Sequence, residues 1–133
     1  MAVKIPVFQI EISDRAGSLY KLLVDAADAG VDLECLTAAS KGKGKGVACL
    51  GAKDPRAARK FIKAAGVKAK ELVGFVLKRR DRCGAGAAAL KPLAEKKIKG
   101  VACLASTLGK GRCQIIIAVD KKDSAKMARA LKR

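Results

Sequence analysis

The feature that most limits what this chain can fold into is an internal repeat with a spacing of 67 residues. Phe75-Val76-Leu77-Lys78 leads into Asp81-Arg82-Cys83-Gly84, as Phe8 to Ile12 lead into Asp14-Arg15-Ala16-Gly17. A repeat of this length is one supersecondary unit used twice. A second self-match competes. Gly46-Val47-Ala48-Cys49-Leu50 recurs letter for letter as Gly100-Val101-Ala102-Cys103-Leu104, 54 residues on. That register fails downstream, because Asp54 caps a helix after Leu50 while a Ser/Thr/Gly/Lys turn follows Leu104.

Within each copy the pattern switches between periods of two and 3.6. Val7–Ser13 alternates and predicts a strand beginning after Pro6. Leu19, Leu22, Leu23, Ala26 and Ala27 fall at helical spacing, and Gly30 stops that helix. Residues 31–36 read as a second strand and Val47–Leu50 as a third, joined by the flexible Lys41–Gly46 segment. Asp54-Pro55 is an N-cap and first-turn proline pair. Ala57, Ala58, Phe61, Ile62 and Ala65 give the second helix its apolar face, ended by Gly66. Residues 72–77 supply further strand.

The second copy follows with a helix containing Leu90, Leu93 and Ala94, strands at 101–104 and 115–119, and a last helix through Met127 and Leu131. Pro92 should kink its helix or mark its start. The expected architecture is α+β: a ferredoxin-like, split βαβ tandem repeat, with antiparallel sheets and helices packed on one face. The expected units are 1–71 and 72–133. The second lacks its own closing strand, which would leave an open edge. Val3-Lys4-Ile5 is the expected substitute.

Composition restricts function. Aromatics are 3% of the chain, so the core is aliphatic and stacking surfaces for bases are scarce. His is absent, no Cys-x-x-Cys occurs among the five cysteines, and no nucleophile motif is present. No catalytic residue, metal ligand or cofactor is therefore assigned. The cysteines read as small buried hydrophobes in a reducing, cytoplasmic setting. No signal-peptide core or membrane-length apolar run occurs.

The net charge of +17 attracts anions without naming one. Lys41, Lys43, Lys45, Lys78, Arg79, Arg80 and Arg82 could contact phosphates, which keeps a nucleic-acid partner as an alternative. Lys41–Gly46 lacks the phosphate-loop pattern and reads as a mobile hairpin tip.

Asp14-Arg15-Ala16-Gly17-Ser18-Leu19 followed by Gly30-Val31-Asp32-Leu33 resembles the ACT domain. The whole chain is similar to small tandem-ACT proteins without an attached enzyme. In the second copy Gly86 stands where the motif has Leu. The resemblance implies a regulatory protein that binds an amino acid or a similar small anionic or zwitterionic ligand. It also implies self-association as a homodimer or higher oligomer, and a protein target is an alternative partner. The site it implies is Asp14, Arg15, Ala16, Gly17, Ser18 and Leu19, faced from a partner domain by the edge of the second strand, Val31, Asp32 and Leu33. In the second copy it is Asp81, Arg82, Cys83 and Gly84. A helix N-terminus suits a carboxylate, and Asp14 could accept from an ammonium. The plainer alternative is that Asp14 or Ser18 caps the helix and Gly17 makes a turn.

Overall fold

The computed structural model describes residues 2–132. Its elements are β1 (Val3–Ser13), α1 (Ser18–Asp28), β2 (Leu33–Gly42), β3 (Lys45–Ala52), α2 (Pro55–Ala65) and β4 (Ala69–Arg80). These are followed by α3 (Ala85–Glu95), β5 (Ala102–Gly109), β6 (Arg112–Val119), a short 3-10 turn (Lys121–Asp123) and α4 (Ser124–Ala130). The chain is thus α+β, with the order βαββα used twice. The hydrogen-bonded strand order is β2-β3-β1-β4-β6-β5.

Two compact units result. The first is Ile5–Glu71; the second is the segment from Leu72 onward together with the residues before Ile5. In the first unit β3 lies between β1 and β2, antiparallel to both. Phe8, Ile10, Ala48, Leu50 and Ala52 point from the sheet to one face, where α1 brings Leu22 and Ala26 and α2 brings Ala58 and Phe61. The second unit repeats this arrangement. β6 lies antiparallel between β4 and β5. Phe75, Leu77, Ile115, Ile117 and Val119 meet Ala89 and Leu93 of α3 and Met127 and Ala130 of α4. In each unit both helices therefore cover one sheet face, since every second strand residue points that way.

Hydrogen bonds repeat at the sequence spacing. Asp14 N–H donates to Gly44 and Asp81 N–H to Gly111; Val31 N–H donates to Ala26 and Ile98 N–H to Leu93. Gly17 and Gly84 both have φ of 89°, and the hairpin lysines Lys43 and Lys110 both have positive φ. These pairs are all 67 residues apart. The 54-residue match is a coincidence of strand composition, because Val47 to Leu50 lie in β3 whereas Ala102 to Leu104 lie in β5.

β1 is longer than its alternation predicts, starting at Val3 and running through Pro6. The proline is tolerated for a directional reason. Glu11 N–H donates to Lys68, so odd residues of β1 donate away from β3 and even residues toward it. The β3 ladder ends at the Val7–Gly51 pair. Pro6 therefore lacks an N–H where no ladder partner remains. Upstream of it, Val3 and Lys4 group with the second unit while Ile5 stays with the first. Ala2 packs on the second core, and the Lys4 ammonium lies 5.7 Å from the Phe75 ring centroid. Reciprocally, Ala69 to Glu71, the opening of β4, group with the first unit.

Pro92 lies well inside α3, which begins at Ala85, so it does not mark the helix start. The ring removes one N–H from the helix ladder, yet Lys96 N–H still closes onto the Pro92 carbonyl. Among the described residues no helix is long and apolar enough to cross a membrane.

Arg59 of α2 grips Glu71 of β4 through two parallel bonds of 2.8 Å, Nε to Oε1 and Nη2 to Oε2. This fork-to-fork pair raises the guanidinium pKa, chiefly by hydrogen bonding to Glu71. It ties the end of the first unit to its second helix. Arg59→Lys keeps the charge and loses the fork. It should lower the melting temperature more than the same change at Arg56, which differential scanning calorimetry would check.

Candidate functional site

The loop between β1 and α1 is held open by its backbone. Gly17 sits in the left-handed region at the helix N-cap, and Lys21 N–H donates to its carbonyl. That φ favours glycine. No side chain caps α1, so neither Asp14 nor Ser18 is engaged in that plainer role. Ser18 N–H turns back to the Arg15 carbonyl, and Arg15 N–H donates to Ser13 Oγ. The Asp14 carboxylate accepts the Ser40 hydroxyl at 2.9 Å, which leaves it further acceptor positions.

Asp14, Arg15 and Leu19 line a small cavity of about 190 Å³ with Ile12, Ser13, Gly46 and Ala38 to Ser40 of β2. Ala16, Gly17 and Ser18 shape the turn beside it. Within one unit, Val31, Asp32 and Leu33 lie apart from this loop, so they could face it only from a partner domain. Val31 is buried in the first core, Asp32 pairs with Lys53 at 3.6 Å, and Leu33 begins β2 at its far end. The β2 residues near the loop are thus 38–40. Sequence reasoning missed them because Thr37-Ala38-Ala39-Ser40 does not alternate, so β2 seemed to end near Leu36. The one signal was hydroxyls at repeat-related positions: Ser40 Oγ accepts from Gly42 N–H as Thr107 Oγ1 accepts from Gly109 N–H.

In the second unit Gly84 repeats the left-handed cap, and Asp81 and Cys83 are exposed. Arg82 lines a different and larger cavity of about 510 Å³ between α3 and the end of α4.

None of the groups brought together resembles a nucleophile and its base. The thiols of Cys35 and Cys49 are pushed up from their ordinary value, mainly by burial, which keeps them protonated and inert. Above about pH 9 this burial works against the fold, because the unfolded chain ionises its thiols first. Iodoacetamide at pH 8 should therefore label exposed Cys83 rapidly, and Cys35 and Cys49 only once the protein unfolds, as peptide mass mapping would show. Among the described residues no group of three His, Cys, Asp or Glu side chains is placed to hold a metal ion. Phe8, Phe61 and Phe75 are buried, so no aromatic platform faces solvent on the strands.

No family model matches the sequence, and no curated protein matches it closely. Solved structures do match. Protein BT0572 from Bacteroides thetaiotaomicron superimposes with a TM-score of 0.79 at 18% identity, covering 98% of this chain and 88% of that one. The regulatory subunit of aspartate kinase from Thermus thermophilus, in a ligand-free form, superimposes with a TM-score of 0.67 at 14% identity over 96% and 89%. The corresponding subunit from Thermus flavus gives 0.60 at 14% over 98% and 91%. The chain has the tandem ACT fold. The match spans almost the whole of these separate regulatory subunits, and only 33% of a complete aspartate kinase from Clostridium acetobutylicum. At these identities the likeness is one of fold, and sites must be argued from this chain's own residues.

Proposed function

We propose that this protein is a non-catalytic regulatory sensor that binds an amino acid, or a similar small zwitterion, at the β1–α1 loop of its first unit. The observation that carries this reading is the Asp14–Leu19 loop. It combines a helix N-terminus that no side chain caps with the Asp14 carboxylate, which lines a small cavity together with Leu19 of that helix. A zwitterion needs both: unpaired N–H groups with partial positive charge for its carboxylate, and an anion for its ammonium. The small cavity suits a ligand completed by a second copy of the chain. β2 and β5 end the strand order and offer edges for such pairing. The reducing setting that free cysteines favour fits a cytoplasmic protein.

Thermal-shift measurements across the protein amino acids test this. A ligand at about 100 times its dissociation constant should add roughly 2.7 kcal/mol. Asp14→Ala should then weaken it by about 1.5–3 kcal/mol, the worth of a charge-assisted hydrogen bond, with the circular dichroism spectrum unchanged. Silence across the panel at millimolar ligand would sink the reading. Sedimentation with and without the responding amino acid would test the paired assembly.

A further inference from the structure

The two units share a backbone pattern but not a charge. Residues 5–71 carry 12 Lys and Arg against 8 Asp and Glu, whereas the rest of the chain carries 17 against 4. Most of the positive charge thus belongs to the second unit. That unit also holds a cavity of about 510 Å³, lined by Arg79, Arg80 and Arg82 over a floor of Ala85, Ala88, Ala89, Pro92, Ala130 and Leu131. Among the described residues no acidic side chain lines it.

The first unit serves as an internal control. Moving back 67 residues, Arg79 and Arg80 become Ile12 and Ser13. Ala89 becomes Leu22, which is buried in the first core. Ala88 and Pro92 become Lys21 and Asp25, an ion pair of 3.0 Å across the helix. The second copy has therefore lost the side chains that fill this position in the first. It has also gained two guanidinium groups at the same place. Either change alone would be unremarkable. Together they make a volume and a matching charge.

We propose that this cleft between α3 and the end of α4 binds a small phosphate ester, a ligand class separate from the zwitterion of the first loop. Three guanidinium groups offer planar forks that match phosphate oxygens in pairs. Desolvation costs little at the mouth, where Arg80 and Arg82 are exposed. The apolar floor takes the uncharged body of the ester. The volume falls within the range of small-ligand sites, about 300–1,000 Å³, and holds a sugar phosphate or mononucleotide but no folded polyanion.

The test is calorimetric titration with AMP and with glucose 6-phosphate at physiological salt. At least one is expected to bind saturably at one site per chain. Ala89→Leu restores the first unit's side chain on the cavity floor and changes no charge. Binding should fall by about tenfold or more, because the added side chain takes up space meant for the body of the ester. Unchanged affinity in this filled variant would mean attraction to the surface charge alone, and would overturn the proposal. Should the filled variant fold poorly, Arg79→Ile with Arg80→Ser is compared with Lys96→Ile with Lys99→Ser, which removes the same charge from exposed positions outside the cleft: a larger loss from the arginine pair supports the cleft, and equal losses refute it. Binding of a single-stranded oligonucleotide with no response to either small ester would also overturn it, in favour of an extended nucleic-acid surface. Asp14→Ala should leave ester binding unchanged, so failure of the amino-acid reading and failure of this one are separable.

Discussion

Phe75→Ala is expected to destabilise the protein by about 3–5 kcal/mol, the usual cost of emptying an aromatic position in a packed core. Phe75 is 1% exposed and stands at the centre of the second core with Leu77, Ile117 and Met127. That loss is a large share of the roughly 5–15 kcal/mol that holds a domain folded. The ring also lies beneath the Lys4 ammonium, so its removal loosens the N-terminal residues that join this unit. Urea unfolding followed by circular dichroism would measure the loss. A change below about 1 kcal/mol would mean that the second core is not packed as described.

Gly51→Ala should be the next most costly change, at about 1–3 kcal/mol, because it overpacks a full site. The glycine has ordinary backbone angles, so freedom of φ is not its role. A Cβ there would stand 2.5 Å from Cys35 Sγ and 3.0 Å from Ile5 Cδ1. Both neighbours belong to the first unit, on β2 and β1. Removing the sulfur should relieve the clash. The double variant Gly51→Ala with Cys35→Ala is therefore expected to be more stable than the sum of the single changes implies. Strict additivity in thermal unfolding would show that the sulfur is not the obstacle.

Much of the fold was legible because the repeat is written in chemistry the backbone requires. Gly17 and Gly84 occupy the same left-handed cap, and Asp54 accepts the Arg56 N–H as a cap before Pro55. Alternation marked β1, and a continuous apolar run from Leu72 to Leu77 marked β4, whose central residues are buried on both faces. Less was visible where strands lose alternation. The far half of β2 is a run of small residues that any loop could contain, and it is what approaches Asp14. Val3-Lys4-Ile5 read as a strand completing the second unit, but its continuity with β1 was hidden by Pro6, since a proline normally precedes or ends a strand, and only the ladder's end at Val7 makes it harmless.

The candidate site divides in the same way. The Asp14–Leu19 turn is local, so its glycine and spacing announced it. Its partners in space are the hydroxyl of Ser40 and the β2 backbone, set by the β2–β3 hairpin register. The arginine-lined cleft has no motif at all. Its floor is formed by small residues, Ala85, Ala88 and Ala89, which sequence shows as a departure from the repeat but not as a volume.

The sequence by itself determined that the chain is one unit used twice, which turns it takes and which faces are apolar. Those are properties of neighbouring residues, where sterics and periodicity act within a few positions. Only the tertiary structure decided that β1 runs unbroken through Pro6, that Ser40 meets the Asp14 loop, and that the second copy forms a basic cavity. Each of these depends on residues far apart in the chain, whose meeting is fixed by strand register and packed volume rather than by local preference.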